Sequence, residues 1–199
     1  MKARITCHND HPLGKRLAKL FDTADYFSRR NGFDCNGDIQ SFLEDTKNYD
    51  VTVNFSRAMP FGQVRLLTSL DSYCDEKQLN HKVFNIGSYV NILLLNNPES
   101  TYDVEKASLK FAHRKIAFSH MFHDNKLDSY LLGLGHLKEI SVDINDKYKH
   151  LHLLDLDDVV ENIKFMLDRP FIKEMNLQYK QPGNHRTNDG IGLILPGLY

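Results

Sequence analysis

Short runs of apolar and β-branched residues alternate along this chain with segments of helical period, and this alternation limits the possible folds more than any other feature. It is typical of β-α-β units, in which a helix carries the chain back so that successive strands run parallel. The sequence predicts six strands, at residues 3–6, 24–28, 51–55, 82–86, 139–144 and 174–179. We therefore expect an α/β fold of the Rossmann type, with a doubly wound and mainly parallel sheet.

Five helices are predicted between these strands, at residues 13–21, 39–45, 61–73, 102–120 and 156–167. Pro60 precedes the third helix, and proline suits the first turn of a helix. Asp157 and Asp158 fall in the first turn of the fifth, where carboxylates favour the positive end of the helix dipole. A chain of 199 residues has room for one substantial core. We expect a single domain over residues 1–180 and an irregular C-terminal arm over residues 181–199.

The net charge and the lack of long apolar runs argue against two classes of partner. A formal net charge of -1 gives no basic excess for binding nucleic acid. No run approaches the ~18 apolar residues needed to span a bilayer. Residues 1–6 enter a strand directly, without the apolar core of a signal peptide. We expect a cytoplasmic protein with neither a nucleic-acid nor a membrane partner.

The spacing of cysteines and histidines does not favour a metal site. The three cysteines are too far apart in sequence to suggest a zinc site or a disulfide framework. His120 and His123 could share a helix face, and His150 and His152 a strand face, but neither pair has an evident third ligand. We predict no metal ligand in this chain.

The residues that carry chemistry lie around the fourth predicted strand and the helix after it. The strand ends in Asn85-Ile86-Gly87-Ser88, and the helix begins with Tyr102 and carries Lys106 four positions later. Residues i and i+4 lie one above the other on a helix, so the phenol and the ammonium can share one site. A neighbouring ammonium stabilises a phenolate, which suits a general acid or base. Taken alone, the pair also fits two surface residues of an amphipathic helix.

The serine at a strand end, followed by Tyr-x-x-x-Lys, resembles the catalytic signature of the short-chain dehydrogenase/reductase family. The resemblance covers about residues 1–180 and implies an NADP(H)-dependent oxidoreductase that acts on the carbonyl or alcohol group of a small molecule. It implies that Tyr102 is the acid/base, that Lys106 is its electrostatic partner and holds the cofactor ribose, and that Ser88 orients the substrate oxygen. The alternatives are a catalytically silent nucleotide-binding sensor or interaction protein, and a structural relic with no ligand.

The first β-α turn departs from the family pattern. The family has Thr-Gly-x-x-x-Gly-x-Gly there, whose glycines let the cofactor diphosphate approach the backbone. This chain reads Thr6-Cys7-His8-Asn9-Asp10-His11-Pro12-Leu13-Gly14, and only Gly14 aligns with a glycine of the pattern, the last one. The resemblance implies cofactor contacts from Thr6, His8, Asn9 and Gly14. The alternative is a loop that has lost the dinucleotide.

Further cofactor contacts follow the second and third predicted strands. Arg29 and Arg30 stand where the family places an acidic residue for NAD or basic residues for the 2′-phosphate of NADP. The resemblance places Asp34 near the adenine and Asn54 in the stretch where the family has Asn-Asn-Ala-Gly. A guanidinium offers paired donors to phosphate oxygens, so NADP(H) is favoured over NAD(H). Alternatively, both arginines only solvate a turn.

Assembly is predicted from the long fourth helix. It carries Phe111, Ile116 and Phe118 in addition to its core-facing stripe. Family members usually pair through this helix, and two-fold pairing is the commonest soluble assembly. We expect a homodimer or a higher homo-oligomer, unless all three side chains pack internally.

Overall fold

Six parallel strands form the centre of the structure, a computed structural model that describes residues 1–56, 60–88, 101–135, 137 and 154–177. The strands are β1 (Lys2–Ile5), β2 (Thr23–Tyr26), β3 (Val51–Asn54), β4 (His81–Ser88), β5 (Leu127–Leu134) and β6 (Glu174–Leu177). The α-helices are α1 (Pro12–Ala18), α2 (Gln40–Glu44), α3 (Gly62–Glu76), α4 (Thr101–Phe122) and α5 (Leu156–Leu167). The predicted arm, residues 181–199, lies outside the described residues.

The strand order is β2-β1-β3-β4-β5-β6, and every pairing between these neighbours is parallel. The chain runs outward from β1 to β2 and then crosses β1 to build the rest of the sheet on the other side. The carboxyl ends of β1 and β3 therefore flank the point where the strand order reverses, which is where open α/β sheets bind ligands. The Rossmann-type prediction is confirmed.

The fifth strand is not where the sequence analysis placed it. The strand between β4 and β6 is Leu127–Leu134, whereas the predicted residues 139–144 lie outside the described part of the chain. Asp128 and Ser129 interrupt the apolar pattern of this strand, yet both are buried. Asp128 accepts a hydrogen bond from Tyr130 Oη at 2.7 Å and pairs with Lys173, so its polar atoms are satisfied inside the core. The other five predicted strands are confirmed within a few residues.

The helices cover both faces of the sheet, as a doubly wound fold requires. On one face, Leu13 and Leu17 of α1 join Val159 and Ile163 of α5 in a buried apolar cluster. On the other face, a second cluster combines apolar side chains of α2, α3 and α4, namely Phe42, Leu43, Leu66, Leu67, Leu70, Cys74, Leu109 and Ile116. No helix within the described ranges has the length and apolar character to cross a membrane.

The segment between β2 and β3 is short and is held to the sheet by a buried arginine. Arg4 on β1 is fully buried; it donates to Thr52 Oγ1 at 2.7 Å and to Thr46 Oγ1 at 2.6 Å. Its guanidinium also donates to the carbonyl of Phe42 and lies 3.6 Å from that ring centre. Burial lowers the pKa of Arg4 to about 9. The residues of α2 are thereby tied to β1 and β3.

The outer face of α4 carries exposed aromatic side chains. Phe111, Phe118 and Phe122 are 75%, 60% and 62% exposed, and the last two rings lie 4.6 Å apart between centres. Ile116, which the sequence analysis grouped with the outer residues, is buried in the core. That part of the prediction is wrong because Ile116 lies on the sheet-facing side with Leu109.

Candidate active site

Lys106 lies against the end of β4, with Tyr102 beside it on the same helix. The Lys106 Nζ donates a hydrogen bond to the Ile86 carbonyl at 3.3 Å, and it lies 5.5 Å from the centre of the Tyr102 ring. Ser88, two residues beyond Ile86, is the last residue of β4 and is almost fully buried. The structure thus places the ammonium near the end of the strand that Ser88 completes and within 5.5 Å of the phenol ring centre.

Two glycines leave room for neighbouring side chains beside this site. Gly87 and Gly133 pair in register where β4 meets β5. A Cβ on Gly133 would overlap Asn176 Oδ1 of β6, and a Cβ on Gly87 would lie 3.0 Å from Leu131 Cδ1. Glycine at position 133 therefore makes room for the Asn176 side chain, near the strand ends that carry the site.

Gln63 is a contact of Lys106 that sequence reasoning missed. It lies at the start of α3, is buried, and accepts a hydrogen bond from Lys106 Nζ through its Oε1. Its Nε2 donates to the carbonyls of Asn54 at 2.7 Å and Ile86 at 3.2 Å. No local pattern marks this glutamine, because its contact depends on how α3 packs against α4.

Asn54, predicted as a cofactor contact, is fully buried at the end of β3. Its Nδ2 donates to the backbone carbonyl of Gln63 and to Asn85 Oδ1, both at 2.9 Å. Both amide hydrogens are thus used inside the protein. Asn54 is connected to Lys106 through Gln63.

The β1–α1 loop is tied to the segment after β3 by Thr6. Its hydroxyl oxygen accepts hydrogen bonds from the backbone nitrogens of Phe55 at 2.9 Å and Ser56 at 3.1 Å, and it donates to the Val53 carbonyl at 3.3 Å. Thr6 is fully buried. It fixes the two strand ends at the point where the strand order reverses.

The space beside Gly14 is filled from within the protein. A Cβ on Gly14 would lie 2.5 Å from Cys7 Sγ and 3.6 Å from the Tyr26 ring. Burial raises the pKa of the Cys7 thiol to about 12, so it stays protonated and packs as a small apolar group. The lack of a side chain at Gly14 therefore makes room for Cys7.

Four of the other predicted cofactor residues form two pairs near the end of β2. Arg29 Nε donates to Asp34 Oδ2 at 3.0 Å, and Arg30 Nη1 lies 2.8 Å from His8 Nε2. The hydrogen bond from the backbone N–H of Asn36 lowers the pKa of the partly buried Asp34, and the Arg29 side chain lowers it further. Asn9 is exposed in the loop next to His8. The structure therefore places His8 of the β1–α1 loop beside Arg30, whereas Arg29 contacts Asp34 of the segment that follows β2.

Comparison with known proteins identifies the fold. No protein-family model matches the chain, and no curated protein matches its sequence. A short-chain dehydrogenase from Burkholderia cenocepacia J2315, solved in complex with NADP, superposes with a TM-score of 0.64 and 13% identity, over 89% of this chain and 88% of that one. A short-chain dehydrogenase from Bacillus anthracis superposes with a TM-score of 0.67 and 10% identity, over 89% of this chain and 95% of that one. A third short-chain dehydrogenase, from Sphingobium yanoikuyae and in complex with NADPH, superposes with a TM-score of 0.57 and 12% identity, over 85% of each chain.

The chain has the short-chain dehydrogenase fold. Within that fold, the altered first turn offers a side-chain donor that fits a phosphate group of a dinucleotide. His11 Nδ1 is buried in this loop with no hydrogen-bond partner, and burial lowers the pKa of His11 so that the ring is neutral at neutral pH. With its proton on Nδ1, that ring can donate to a phosphate oxygen. The backbone carbonyl of His8 accepts from the backbone N–H of His11 at 3.0 Å, and the His8 ring lies beside Arg30, whereas Cys7 fills the space beside Gly14.

Proposed function

We propose that this chain is an NADP(H)-dependent oxidoreductase of the short-chain dehydrogenase/reductase type, which reduces a carbonyl or oxidises an alcohol of a small molecule. The observation that carries the proposal is the meeting of Lys106, the Tyr102 ring and the end of β4. A phenol beside an ammonium at the carboxyl ends of parallel strands supplies a proton donor where such folds bind substrates.

A bound NADP(H) would supply or accept the hydride, whereas the chain's own residues would move the proton and orient the substrate. Tyr102 holds the proton that moves to or from the substrate oxygen. Lys106 stabilises the phenolate that forms when this proton leaves, and its ammonium also holds the ribose. Ser88 donates a hydrogen bond to the substrate oxygen. The contacts of Lys106 with Gln63 and Ile86 fix the ammonium before substrate arrives, which favours preorganised charge stabilisation.

NADP(H) is the preferred cofactor in this proposal because Arg29 and Arg30 follow β2. Their side chains are 62% and 76% exposed, so both are accessible to a 2′-phosphate. Asp34 accepts from Arg29 at the surface, where such pairs contribute only ~0 to 1 kcal/mol and can rearrange around a ligand. The NADP and NADPH complexes of the Burkholderia and Sphingobium proteins support a phosphorylated cofactor.

One observation favours a second candidate, a silent nucleotide-binding protein. Cys7 fills the space beside Gly14, so the glycine-rich cradle of the family is altered in this chain. A protein of this kind would bind NADPH without turnover, and the same assay distinguishes the two candidates.

The test is NADPH oxidation, followed by absorbance, with a panel of aldehydes and ketones. Wild type should turn over, and Tyr102→Phe should lose about 10²- to 10⁴-fold in rate while binding NADPH nearly as well, because only the transferable proton is removed. Full activity in Tyr102→Phe would refute the assignment. Tight NADPH binding without wild-type turnover would support the silent protein instead.

The proposal includes a homodimer formed through the outer face of α4. Phe111, Phe118 and Phe122 form an exposed apolar patch, and such patches mark interaction sites in soluble proteins. Light scattering at micromolar concentration should give twice the mass of one chain, and Phe118→Asp should give the mass of one chain. A monomeric wild type would rule out this interface.

A further inference from the structure

Five buried polar residues form a row that starts at Lys106 and crosses the core, and they are linked by hydrogen bonds between side chains or, from Gln63 to Asn54, between side chain and backbone. We call it the polar row, and its members in order are Gln63, Asn54, Asn85, Ser129 and His113. Gln63 is 7% exposed, and the other four are at most 1% exposed. A buried polar group without a partner costs ~1 to 3 kcal/mol, so the hydrogen bonds among these residues stabilise the row, although Asn54 Oδ1 has no partner among the described residues.

The orientation of the Gln63 amide follows from its partners. Its Nε2 faces the carbonyls of Asn54 and Ile86, which only accept, so the amide nitrogen must lie on that side. Its Oε1 is thereby directed at Lys106, whose ammonium only donates. The reversed amide would place a donor against the ammonium and an oxygen against two carbonyls. One orientation of Gln63 is therefore strongly preferred.

The next members continue the row across the strands. Asn54 Nδ2 donates to the backbone carbonyl of Gln63 and to Asn85 Oδ1, both at 2.9 Å. Asn85 Nδ2 donates to the Tyr130 carbonyl at 3.0 Å and to Ser129 Oγ at 3.2 Å. Asn54 and Asn85 are paired in register on β3 and β4. The strand pairing thus holds the two amides side by side.

The row ends on the helix where it began. His113 Nδ1 lies 2.9 Å from Ser129 Oγ, and His113 is seven positions after Lys106 on α4. Because Ser129 accepts from Asn85, its own hydrogen is available to Nδ1. Burial lowers the pKa of His113 to about 4, so the ring is neutral and can accept this hydrogen at neutral pH. Both ends of the row are therefore anchored on α4.

We propose that Gln63 is a positioning residue for Lys106, with its amide held in place by the backbone carbonyls of Asn54 and Ile86. The importance of Lys106 for catalysis rests on the proposed function. Its restraint by Gln63, however, is a property of the free protein, and it is measurable without cofactor or substrate.

Competitive acetylation with acetic anhydride, read by mass spectrometry, tests the restraint of Lys106. In Gln63→Met the acetylation of Lys106 should be about tenfold faster, the change expected from losing one charge-assisted hydrogen bond. Lys110 lies one turn further along α4, with its side chain 16% exposed and paired with Glu174, and its rate should not change. Gln63→Glu keeps an acceptor for the ammonium, so Lys106 should react no faster than in wild type.

Two further variants test whether the restraint belongs to Gln63 itself. Ser129→Ala, at the far end of the row, should leave the acetylation rate of Lys106 unchanged, because backbone carbonyls hold the Gln63 amide. Thr52→Val, at a fully buried and hydrogen-bonded residue outside the row, should also leave it unchanged. An unchanged Lys106 rate in Gln63→Met, or an equal rise at Lys106 and Lys110, would overturn the proposal. An acceleration in Ser129→Ala or Thr52→Val as large as in Gln63→Met would overturn it as well.

NADPH turnover then separates this proposal from the proposed function. A positioning role predicts that Gln63→Met lowers kcat in the otherwise wild-type protein but lowers it no further in a Lys106→Met variant. General structural damage would lower kcat in both backgrounds. If wild type shows no turnover, the proposed function fails and the acetylation result still decides whether Gln63 restrains Lys106.

Discussion

The two ends of the site are built in opposite ways. At the β4–α4 end, Lys106 is held by Gln63 and by a strand carbonyl within a network of buried hydrogen bonds. At the other end, where the β1–α1 loop lies beside the end of β2, Arg29 and Arg30 are mostly exposed and make surface contacts. Buried hydrogen-bonded groups are fixed, whereas exposed pairs contribute little and can rearrange. Under the proposed function, the geometry would be rigid at the end where a proton is transferred and adaptable at the end where a phosphate binds.

The largest effect should distinguish the roles of the two ends. We expect Lys106→Ala to lower kcat by about 10²- to 10³-fold, as the loss of one preorganised electrostatic group does, and also to weaken NADPH binding. His8→Ala, the matched change in the altered loop, should weaken NADPH binding and leave kcat at saturating NADPH unchanged. Steady-state kinetics and NADPH titration of both variants measure this. Equal kcat losses in the two variants would mean that the ends do not differ in role.

The buried His113 of the β4–α4 end predicts a pH dependence of the stability. Burial lowers the pKa of His113 to about 4, whereas an unfolded histidine titrates near 6.5. Between these values the unfolded chain binds more protons, so this contribution to stability is complete above pH 6.5 and is lost as the pH falls toward 4. The loss amounts to at most about 3 kcal/mol.

The measurement is urea unfolding at pH 7 and pH 4.5 for wild type and His113→Asn. The variant should lose less stability over this interval, although not all of the loss should disappear. His81 is also buried, with its pKa lowered by burial to about 3, and it contributes with the same sign. An equal loss in wild type and variant would show that His113 is not held neutral in the core.

Features that depend on neighbouring residues could be predicted from the sequence, whereas contacts between elements that are distant in the sequence could not. The pair Tyr102 and Lys106 could be recognised because i, i+4 spacing alone places both on one helix face. The strand β5 was missed because Asp128 and Ser129 break its apolar pattern, and they are tolerated only through partners elsewhere in the chain. Gln63 could not be recognised for the same reason, since its role appears only when α3 packs against α4.

A smaller effect tests cofactor choice at the exposed end. Arg29→Ala should reduce the preference for NADPH over NADH by about tenfold to a hundredfold, since a charge-assisted contact contributes ~1.5 to 3 kcal/mol. Titration of both cofactors at fixed ionic strength measures the ratio, with Arg169→Ala, just after α5, as the control guanidinium. Equal binding of the two cofactors by wild type, or an unmoved ratio in Arg29→Ala, would show that Arg29 does not read the 2′-phosphate.

The smallest expected effect concerns the altered first turn. Gly14→Ala should reduce the free energy of unfolding by about 1 kcal/mol, because the new methyl group meets Cys7 Sγ in a packed interior. Cys7→Ala removes that sulfur, so the double variant should recover most of the loss in a thermal or urea unfolding experiment. If Gly14→Ala is as stable as wild type but no longer binds NADPH, then Gly14 faces the cofactor and our interpretation of the turn is wrong.

The most direct test of the account is a crystal structure of the protein with NADPH. We predict density for the dinucleotide at the carboxyl ends of β1, β3 and β4, with a ribose hydroxyl within hydrogen-bond distance of Lys106 Nζ. The 2′-phosphate should contact Arg29 or Arg30, and the nicotinamide should lie beside Tyr102. A nucleotide bound elsewhere on the protein, or one that leaves Lys106 without contact, would contradict the proposed function.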